Sequence, residues 1–191
     1  MTHPPHLTII AGGIGSGKSV VARLLRVMGY ATYDCDARAK WLMNHDPALR
    51  QAIVTLLGTE AYGSDGTLNR AYMAERIFGN EAMRTALNAL VHPAVKADIA
   101  RWIQQAGAAR CFVETALLHE SGLNELAHSV WCVDAPTQVR VARVMARSAL
   151  TEAQVRQRIA AQQLPATGIR IVNDGTRPIM TQVLHLLRKN I

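Results

Sequence analysis

The residues from Gly12 to Ser19 have the composition and spacing of a phosphate-binding loop. They read GGIGSGKS, which matches the P-loop pattern G-x-x-x-x-G-K-[ST]. Glycines let the backbone adopt positive φ and let successive N–H groups approach an anion. Lys18 has the length to reach the β- and γ-phosphates of a nucleotide, and Ser19 offers a hydroxyl to Mg²⁺. The spacing therefore predicts a site for a nucleoside triphosphate and its magnesium ion.

The segments on either side of this loop are those that a P-loop needs. His6–Ala11 is a short apolar run with β-branched residues, which is typical of a buried strand. After the loop, apolar residues recur at helical spacing up to Met28, and Gly29 is placed to end that helix. A glycine-rich turn that matched the pattern by chance would not require a strand before it and a helix after it.

A pair of carboxylates follows the second predicted strand, residues 30–33. Asp34 and Asp36 are separated by Cys35. Ligands of open α/β sheets bind at the carboxyl ends of the strands, so these aspartates are expected near the P-loop. Two other interpretations remain open. Asp36 is also a suitable N-cap for the helix predicted over residues 37–43, and Asp34 is suited to capping or to pairing with a nearby base.

Strand-like and helical segments alternate through the rest of the chain. Strands are predicted over 110–115, 129–134 and, weakly, 169–173, and helices over 48–57, over 68–105 with breaks at 78–80 and 92–93, and over 179–187. This alternation predicts an α/β fold with a three-layer parallel sheet of the P-loop type. We expect one domain over 1–191, with a helical acceptor-binding insertion at 62–106 and a lid at 137–165. Glu114 ends the third strand, near the phosphates, where a carboxylate is suited to holding Mg²⁺ through water.

Three arginines of the predicted lid share a spacing that favours one helix face. Arg140, Arg143 and Arg147 stand at i, i+3 and i+7 of a long helix that Thr137 is expected to cap. Guanidinium groups on such a face are suited to closing over phosphates. A solvated charged surface is the alternative interpretation, since charged helix faces are common.

The overall composition narrows the class of protein and its surroundings. The 191 residues carry a formal charge of +7, which favours anionic partners, but only 5% are aromatic, which is few for stacking nucleic-acid bases. Three widely spaced cysteines, Cys35, Cys111 and Cys132, are expected to be reduced thiols. Neither a signal peptide nor a membrane-spanning run is predicted. We therefore expect a cytoplasmic location.

Several segments together resemble the dephospho-CoA kinase family. The P-loop alone specifies only a superfamily, but an Asp-x-Asp pair at 34–36 and a Leu-Asn-x-x-x-His-Pro segment at 87–93 make the likeness more specific. The other similar segments are 68–70, 77–78, 117–122, 143–147 and 173–175.

The resemblance implies a reaction and assigns roles to residues. The family transfers the γ-phosphate of ATP to the ribose 3′-hydroxyl of dephospho-CoA. The catalytic residues implied are Asp36, which accepts the hydroxyl proton, Lys18 and the lid residue Arg147. The nucleotide-binding residues implied are Gly13, Ile14, Gly15, Ser16, Gly17, Lys18, Ser19, Val20, Arg143 and Asn173, the last on the adenine side. The residues implied to bind the acceptor are Asp36, Arg70, His92, Leu117 and Leu118. Ser19 is implied to bind Mg²⁺.

The resemblance also implies partners. ATP and dephospho-CoA are the expected small-molecule substrates, with no nucleic acid and no membrane, in a monomer or a weak homo-oligomer. The chain departs from the family pattern at Ala11, Ala116 and His119, where threonine, proline and an aromatic residue are usual, and its 162–173 segment is short. Glu120 is suited to pairing with lid arginines or to capping.

Two other functions remain to be weighed. A kinase for another small acceptor, such as a nucleoside or nucleotide, shares the P-loop and lid, but the segment 87–93 favours dephospho-CoA. A nucleotide-dependent switch or a nucleic-acid-associated ATPase calls for an aspartate at the end of the third strand, where this chain has Val-Glu-Thr at 113–115.

Overall fold

The structure, a computed structural model, describes residues 5–116, 118, 122–162 and 167–189. Five parallel strands form one sheet in the order β2-β3-β1-β4-β5. The strands are β1 (His6–Ala11), β2 (Ala31–Asp34), β3 (Arg110–Glu114), β4 (Ser129–Asp134) and β5 (Ile169–Val172). This sheet and its helices confirm the α/β fold that the alternating segments predict.

Eight α-helices accompany the strands in the described part of the chain. They are α1 (Lys18–Val27), α2 (Cys35–His45), α3 (Pro47–Leu57), α4 (Arg70–Ile77), α5 (Glu81–Ala106), α6 (Thr137–Met145), α7 (Glu152–Ala160) and α8 (Ile179–Lys189). Short 3₁₀ turns lie at Thr59–Ala61 and Leu123–Glu125. No helix among the described residues is long and apolar enough to cross a membrane.

The chain divides into two compact units. The sheet unit comprises residues 1–34 and 106–191, and the helical unit comprises residues 35–105. The sheet unit holds all five strands with α1, α6, α7 and α8. The helical unit holds α2, α3, α4 and α5 up to residue 105, and residues 62–105 of the expected acceptor-binding insertion lie within it.

Apolar side chains on one face of the sheet form the core of the sheet unit. Ile10, Phe112 and Trp131 come from three strands and are at most 1% exposed. They pack with Val21 and Leu25 of α1 and with apolar residues of α8. The apolar side of α1 is therefore fixed against the sheet, which holds the start of this helix at the end of β1.

The parallel arrangement brings one set of polar groups to a single edge of the sheet. Asp34 and Glu114 are register partners at the ends of β2 and β3. The P-loop follows β1, and Asn173 follows β5, where its N–H donates to the carbonyl of Asp134 at 2.7 Å. All of these residues belong to the sheet unit, so its carboxyl edge is the candidate site.

The predicted helix break at residues 92–93 is wrong. Helix α5 runs from Glu81 to Ala106 with Pro93 inside it. Proline costs the helix one hydrogen bond. Four apolar residues on one face of α5, however, remain buried on both sides of the proline, namely Leu87, Val91, Val95 and Ile99. We infer that this continuous packing outweighs the lost hydrogen bond.

The helix that carries the lid arginines is shorter than predicted. Helix α6 ends at Met145, and Arg147 lies in the turn that follows. Thr137 is its first residue and not its cap, because Pro136 holds the N-cap position. Thr151 and Gln154 form a capping box that starts α7. The early end of α6 lets α7 return and pack Val155 against Val141 and Val144.

Candidate active site

The P-loop is closed by contacts within its own backbone. The Ser16 N–H donates to the Gly13 carbonyl at 3.1 Å, and Lys18 Nζ lies 3.4 Å from the same oxygen. Gly15 and Gly17 have φ of 77° and 98°, values that side chains other than glycine rarely adopt. A Cβ at Gly17 would also overlap the Asn173 side-chain amide. The glycines are therefore required by conformation and by close packing.

Helix α1 begins within the loop, so its N-terminus forms part of the loop. Gly17 is its N-cap residue, and among the described residues no side chain caps the helix and no acidic residue stands in its first turn. Backbone N–H groups and the positive end of the helix dipole are thus left for an anion. With Lys18 beside them, these groups fit the phosphates of a nucleotide.

Ser19 and Glu114 form a pair of oxygen donors next to the loop. Ser19 Oγ donates to Glu114 Oε1 at 2.7 Å, and Glu114 is only 9% exposed. Magnesium is usually held by one or two protein oxygens together with substrate phosphates and water. The described residues include no group of three or more His, Cys, Asp or Glu that could hold a metal without a substrate. The donor set therefore fits Mg²⁺ that arrives with a nucleotide.

Arg143 and Asn173 are joined to each other and to the P-loop. The Arg143 guanidinium donates to the Asn173 carbonyl at 3.1 Å and to its Oδ1 at 3.2 Å. The Asn173 side-chain amide donates to the Ser16 carbonyl at 2.7 Å. The sequence predicts that both residues bind nucleotide, and the structure brings both against the loop. The contact of Asn173 with adenine stays a prediction.

Arg140 does not belong to a solvated basic face. It is 5% exposed, and its Nε donates to the Ile14 carbonyl at 2.9 Å. Its Nη2 donates to Gln162 Oε1 at 3.3 Å, and the same oxygen accepts the Ile14 N–H at 2.7 Å. Burial lowers the pKa of Arg140, while the charge of Asp134 opposes that shift. Arg147, in contrast, is exposed.

Gln162 is a contact that the sequence analysis missed. It lies just after α7 in a segment with no motif, and its role depends on how α7 packs beside α6. The spacing of the arginines likewise gives no reason to distinguish Arg140 from Arg147. Arg140 is nevertheless buried beside the loop, and Arg147 lies outside the helix.

Comparison with known proteins decides the family. The family model for dephospho-CoA kinase matches residues 7–173. A dephospho-CoA kinase from Porphyromonas gingivalis is 42% identical over 178 residues, which cover 93% of this chain and 87% of that protein. The chain belongs to the dephospho-CoA kinase family. A dephospho-CoA kinase from Shouchella clausii is 39% identical, with 88% of this chain and 89% of that protein covered.

A solved structure supports the same fold. A crystal structure of a Thermus thermophilus protein superposes with a TM-score of 0.85 and 32% identity, covering 98% of each chain. Membership of the dephospho-CoA kinase family makes the chain a kinase, a transferase that uses ATP and acts on dephospho-CoA in the last step of coenzyme A biosynthesis. This confirms the predicted function and enzyme class, and the comparisons do not favour a kinase for a different acceptor.

The remaining residues expected from the resemblance to this kinase family lie apart from the loop in the chain. Asp36, Arg70 and His92 belong to the helical unit. Asp36 is exposed in the first turn of α2, Arg70 is exposed at the start of α4, and His92 is partly buried in α5. The interpretation of Asp36 as an N-cap is wrong, because α2 already begins at Cys35.

Four residues singled out in the sequence have not yet been placed. Val20 is 53% exposed on α1, and Leu118 is 5% exposed in the sheet unit. Leu117 and Glu120 lie outside the described residues.

Proposed function

We propose that Asp36 accepts the proton of the ribose 3′-hydroxyl as the γ-phosphate of ATP passes to it. Asp36 follows β2 by two residues, and the resemblance of residues 34–36 to the family's Asp-x-Asp pair implies this role. Phosphoryl transfer has a loose transition state, so orienting the hydroxyl contributes as much as accepting its proton. The residues proposed to bind dephospho-CoA are Arg70, His92, Leu117 and Leu118. Residues 62–106 are proposed to form its binding arm.

The nucleotide is proposed to bind along the P-loop. The segment that would surround its phosphates contains Gly13, Ile14, Gly15, Ser16, Gly17 and Val20. Arg143 and Asn173 lie beside this segment. Lys18 neutralises charge on the β- and γ-phosphates. Ser19 and Glu114 would hold Mg²⁺, which neutralises phosphate charge when it is bound. The contact between Ser19 and Glu114 at 2.7 Å supports this assignment.

Residues 137–165 are proposed to act as a lid, with Arg147 as its contribution to catalysis. A guanidinium that reaches the transferring phosphoryl group stabilises its charge, and a closed lid excludes the water that would otherwise hydrolyse ATP. Arg147 follows α6 and is exposed, so it is free of any role in the core.

The state of the cysteines indicates the compartment in which the protein works. Among the described residues Cys35, Cys111 and Cys132 form no disulfide, which is consistent with a reducing compartment, and we propose the cytoplasm. A monomer or weak homo-oligomer that binds no nucleic acid remains the prediction for its assembly and partners.

The observation that carries the proposed function is a P-loop with a Ser19–Glu114 pair at its end, in a chain that matches the kinase family over residues 7–173. The test is a coupled assay with Mg-ATP and a panel of acceptors that includes dephospho-CoA, nucleosides and nucleoside monophosphates. We expect product only with dephospho-CoA, phosphorylated at the 3′-hydroxyl as shown by phosphorus NMR. Comparable turnover of a nucleoside or nucleotide would contradict the proposal.

Replacing Arg147 by alanine is expected to lower kcat/KM for ATP by at least about tenfold. One charge-assisted contact in the closed lid is worth about 1.5–3 kcal/mol. Because Arg147 is exposed, the thermal midpoint should stay unchanged. Steady-state kinetics with varied ATP give the measurement, and Arg158→Ala on α7, also exposed, serves as the control. Unchanged kinetics for Arg147→Ala would contradict its role in the lid and support the interpretation of Arg147 as part of a solvated surface.

A further inference from the structure

Two side chains of the lid segment bind the P-loop from outside, on consecutive peptide groups. Gln162 Oε1 accepts the Ile14 N–H at 2.7 Å, and Arg140 Nε donates to the Ile14 carbonyl at 2.9 Å. The two side chains also bond to each other at 3.3 Å. Both polar groups of one loop residue are therefore satisfied by side chains and not by a nucleotide.

Because the peptide bond is planar, these contacts also fix the direction of the Gly15 N–H and of the Gly13 carbonyl. In a trans peptide the carbonyl oxygen and the next N–H point in opposite directions. Since Arg140 holds the Ile14 carbonyl outward, the Gly15 N–H is directed away from Arg140. Since Gln162 holds the Ile14 N–H, the Gly13 carbonyl is directed away from Gln162, where it accepts the Ser16 N–H at 3.1 Å and lies 3.4 Å from Lys18 Nζ.

Close packing leaves the loop little freedom to change these orientations. A Cβ added at Gly13 would overlap the Arg140 guanidinium, and one added at Gly15 would lie 2.6 Å from the Arg140 carbonyl. Arg140 is 5% exposed, so its charge is held within the protein beside the loop. Desolvating a guanidinium is costly unless it is hydrogen-bonded, and its bonds are to Ile14 and Gln162.

We propose that Arg140 and Gln162 are positioning residues that fix the Gly13–Ile14 and Ile14–Gly15 peptide groups of the P-loop. They set the Gly15 N–H for a phosphate oxygen and the Gly13 carbonyl for Lys18. They also connect the loop to the lid, because Arg140 lies on α6 and Gln162 follows α7. This inference rests on the proposed use of the P-loop for ATP and adds two residues, one on each side of Ile14.

The test compares Arg140→Met and Gln162→Met, which remove the hydrogen bonds but keep much of the side-chain length. Dissociation constants for Mg-ATP and for Mg-pyrophosphate are measured by calorimetry, together with KM for dephospho-CoA and the thermal midpoint. We expect both dissociation constants to rise by about tenfold or more, as for the loss of one hydrogen bond to a charged group. KM for dephospho-CoA should stay within about twofold of the wild-type value. Arg188→Met is the control, because Arg188 is exposed in the last turn of α8 and lies outside residues 137–165.

Each outcome decides the proposal. Affinities of Gln162→Met within about twofold of wild type would overturn it, and this variant decides the matter if Arg140→Met does not fold. A parallel loss of ATP affinity, dephospho-CoA KM and thermal midpoint would also overturn it, since that pattern indicates a general structural role. Because ATP and pyrophosphate binding need no acceptor, these measurements remain decisive even if dephospho-CoA proves not to be the acceptor.

Discussion

Replacing Asp36 by asparagine is expected to lower the rate of 3′-phosphorylation of dephospho-CoA by about 10²–10⁴. Asparagine keeps the size of the side chain but cannot accept the hydroxyl proton. Asp36 is exposed in the first turn of α2, so the change should cost at most about 1 kcal/mol of stability through the helix dipole. Single-turnover transfer from Mg-ATP, together with the ATP dissociation constant, gives the measurement, and ATP binding should hardly change.

The matched control for Asp36 lies two residues earlier. Asp34 ends β2 as the register partner of Glu114, within the sheet unit, so Asp34→Asn alters a carboxylate on the same short segment without touching the proposed base. We expect it to cost much less than Asp36→Asn. A fully active Asp36→Asn, or an Asp34→Asn variant that is the slower of the two, would refute the assignment of Asp36.

Replacing Lys18 by alanine is expected to lower transfer by about 10²–10³ or more, because the developing charge on the phosphates loses the positive charge that the loop would place beside it. In the structure Lys18 is partly buried and its Nζ is 3.4 Å from the Gly13 carbonyl. Lys18 lies outside the apolar core of the sheet unit, so the thermal midpoint should stay close to the wild-type value. The measurement is kcat/KM for ATP with dephospho-CoA saturating.

Lys189, exposed at the last turn of α8, provides the control for Lys18. Lys189→Ala removes the same charge from the sheet unit without altering the loop, so its kinetics should match those of the wild type. Near-normal transfer by Lys18→Ala would contradict the assignment of Gly12–Ser19 as the phosphate-binding loop.

The elements whose own residues show a clear local pattern could be predicted from the sequence. The boundaries of β1 and the start and end of α1 follow from an apolar run, a glycine-rich loop and Gly29, which are features of neighbouring residues. Parallel strands joined by helices then place the ends of β2, β3, β1 and β5 at one edge. The structure then pairs Asp34 with Glu114 at that edge.

The errors arose where long-range packing outweighed local preference. Pro93 should end a helix on its own, but α5 continues through it because its buried face extends beyond it on both sides. The i, i+3, i+7 spacing of the arginines predicts a common face, but α6 ends at Met145 so that α7 can pack against it. These decisions depend on residues far along the chain, which a local pattern does not contain.

The phosphate-binding loop, the parallel α/β fold and the kinase family could be predicted from the sequence, because each depends on short segments whose chemistry and spacing suffice. The contacts of each lid arginine, in contrast, depend on how distant parts of the chain pack together. Arg140 is buried beneath the loop, Arg143 is bound to Asn173, and Arg147 remains exposed. Their spacing is similar, but the hydrogen bonds that Arg140 and Arg143 make to Ile14, Gln162 and Asn173 join residues 22 to 126 positions apart. Such contacts exist only after the sheet has placed the loop beside α6.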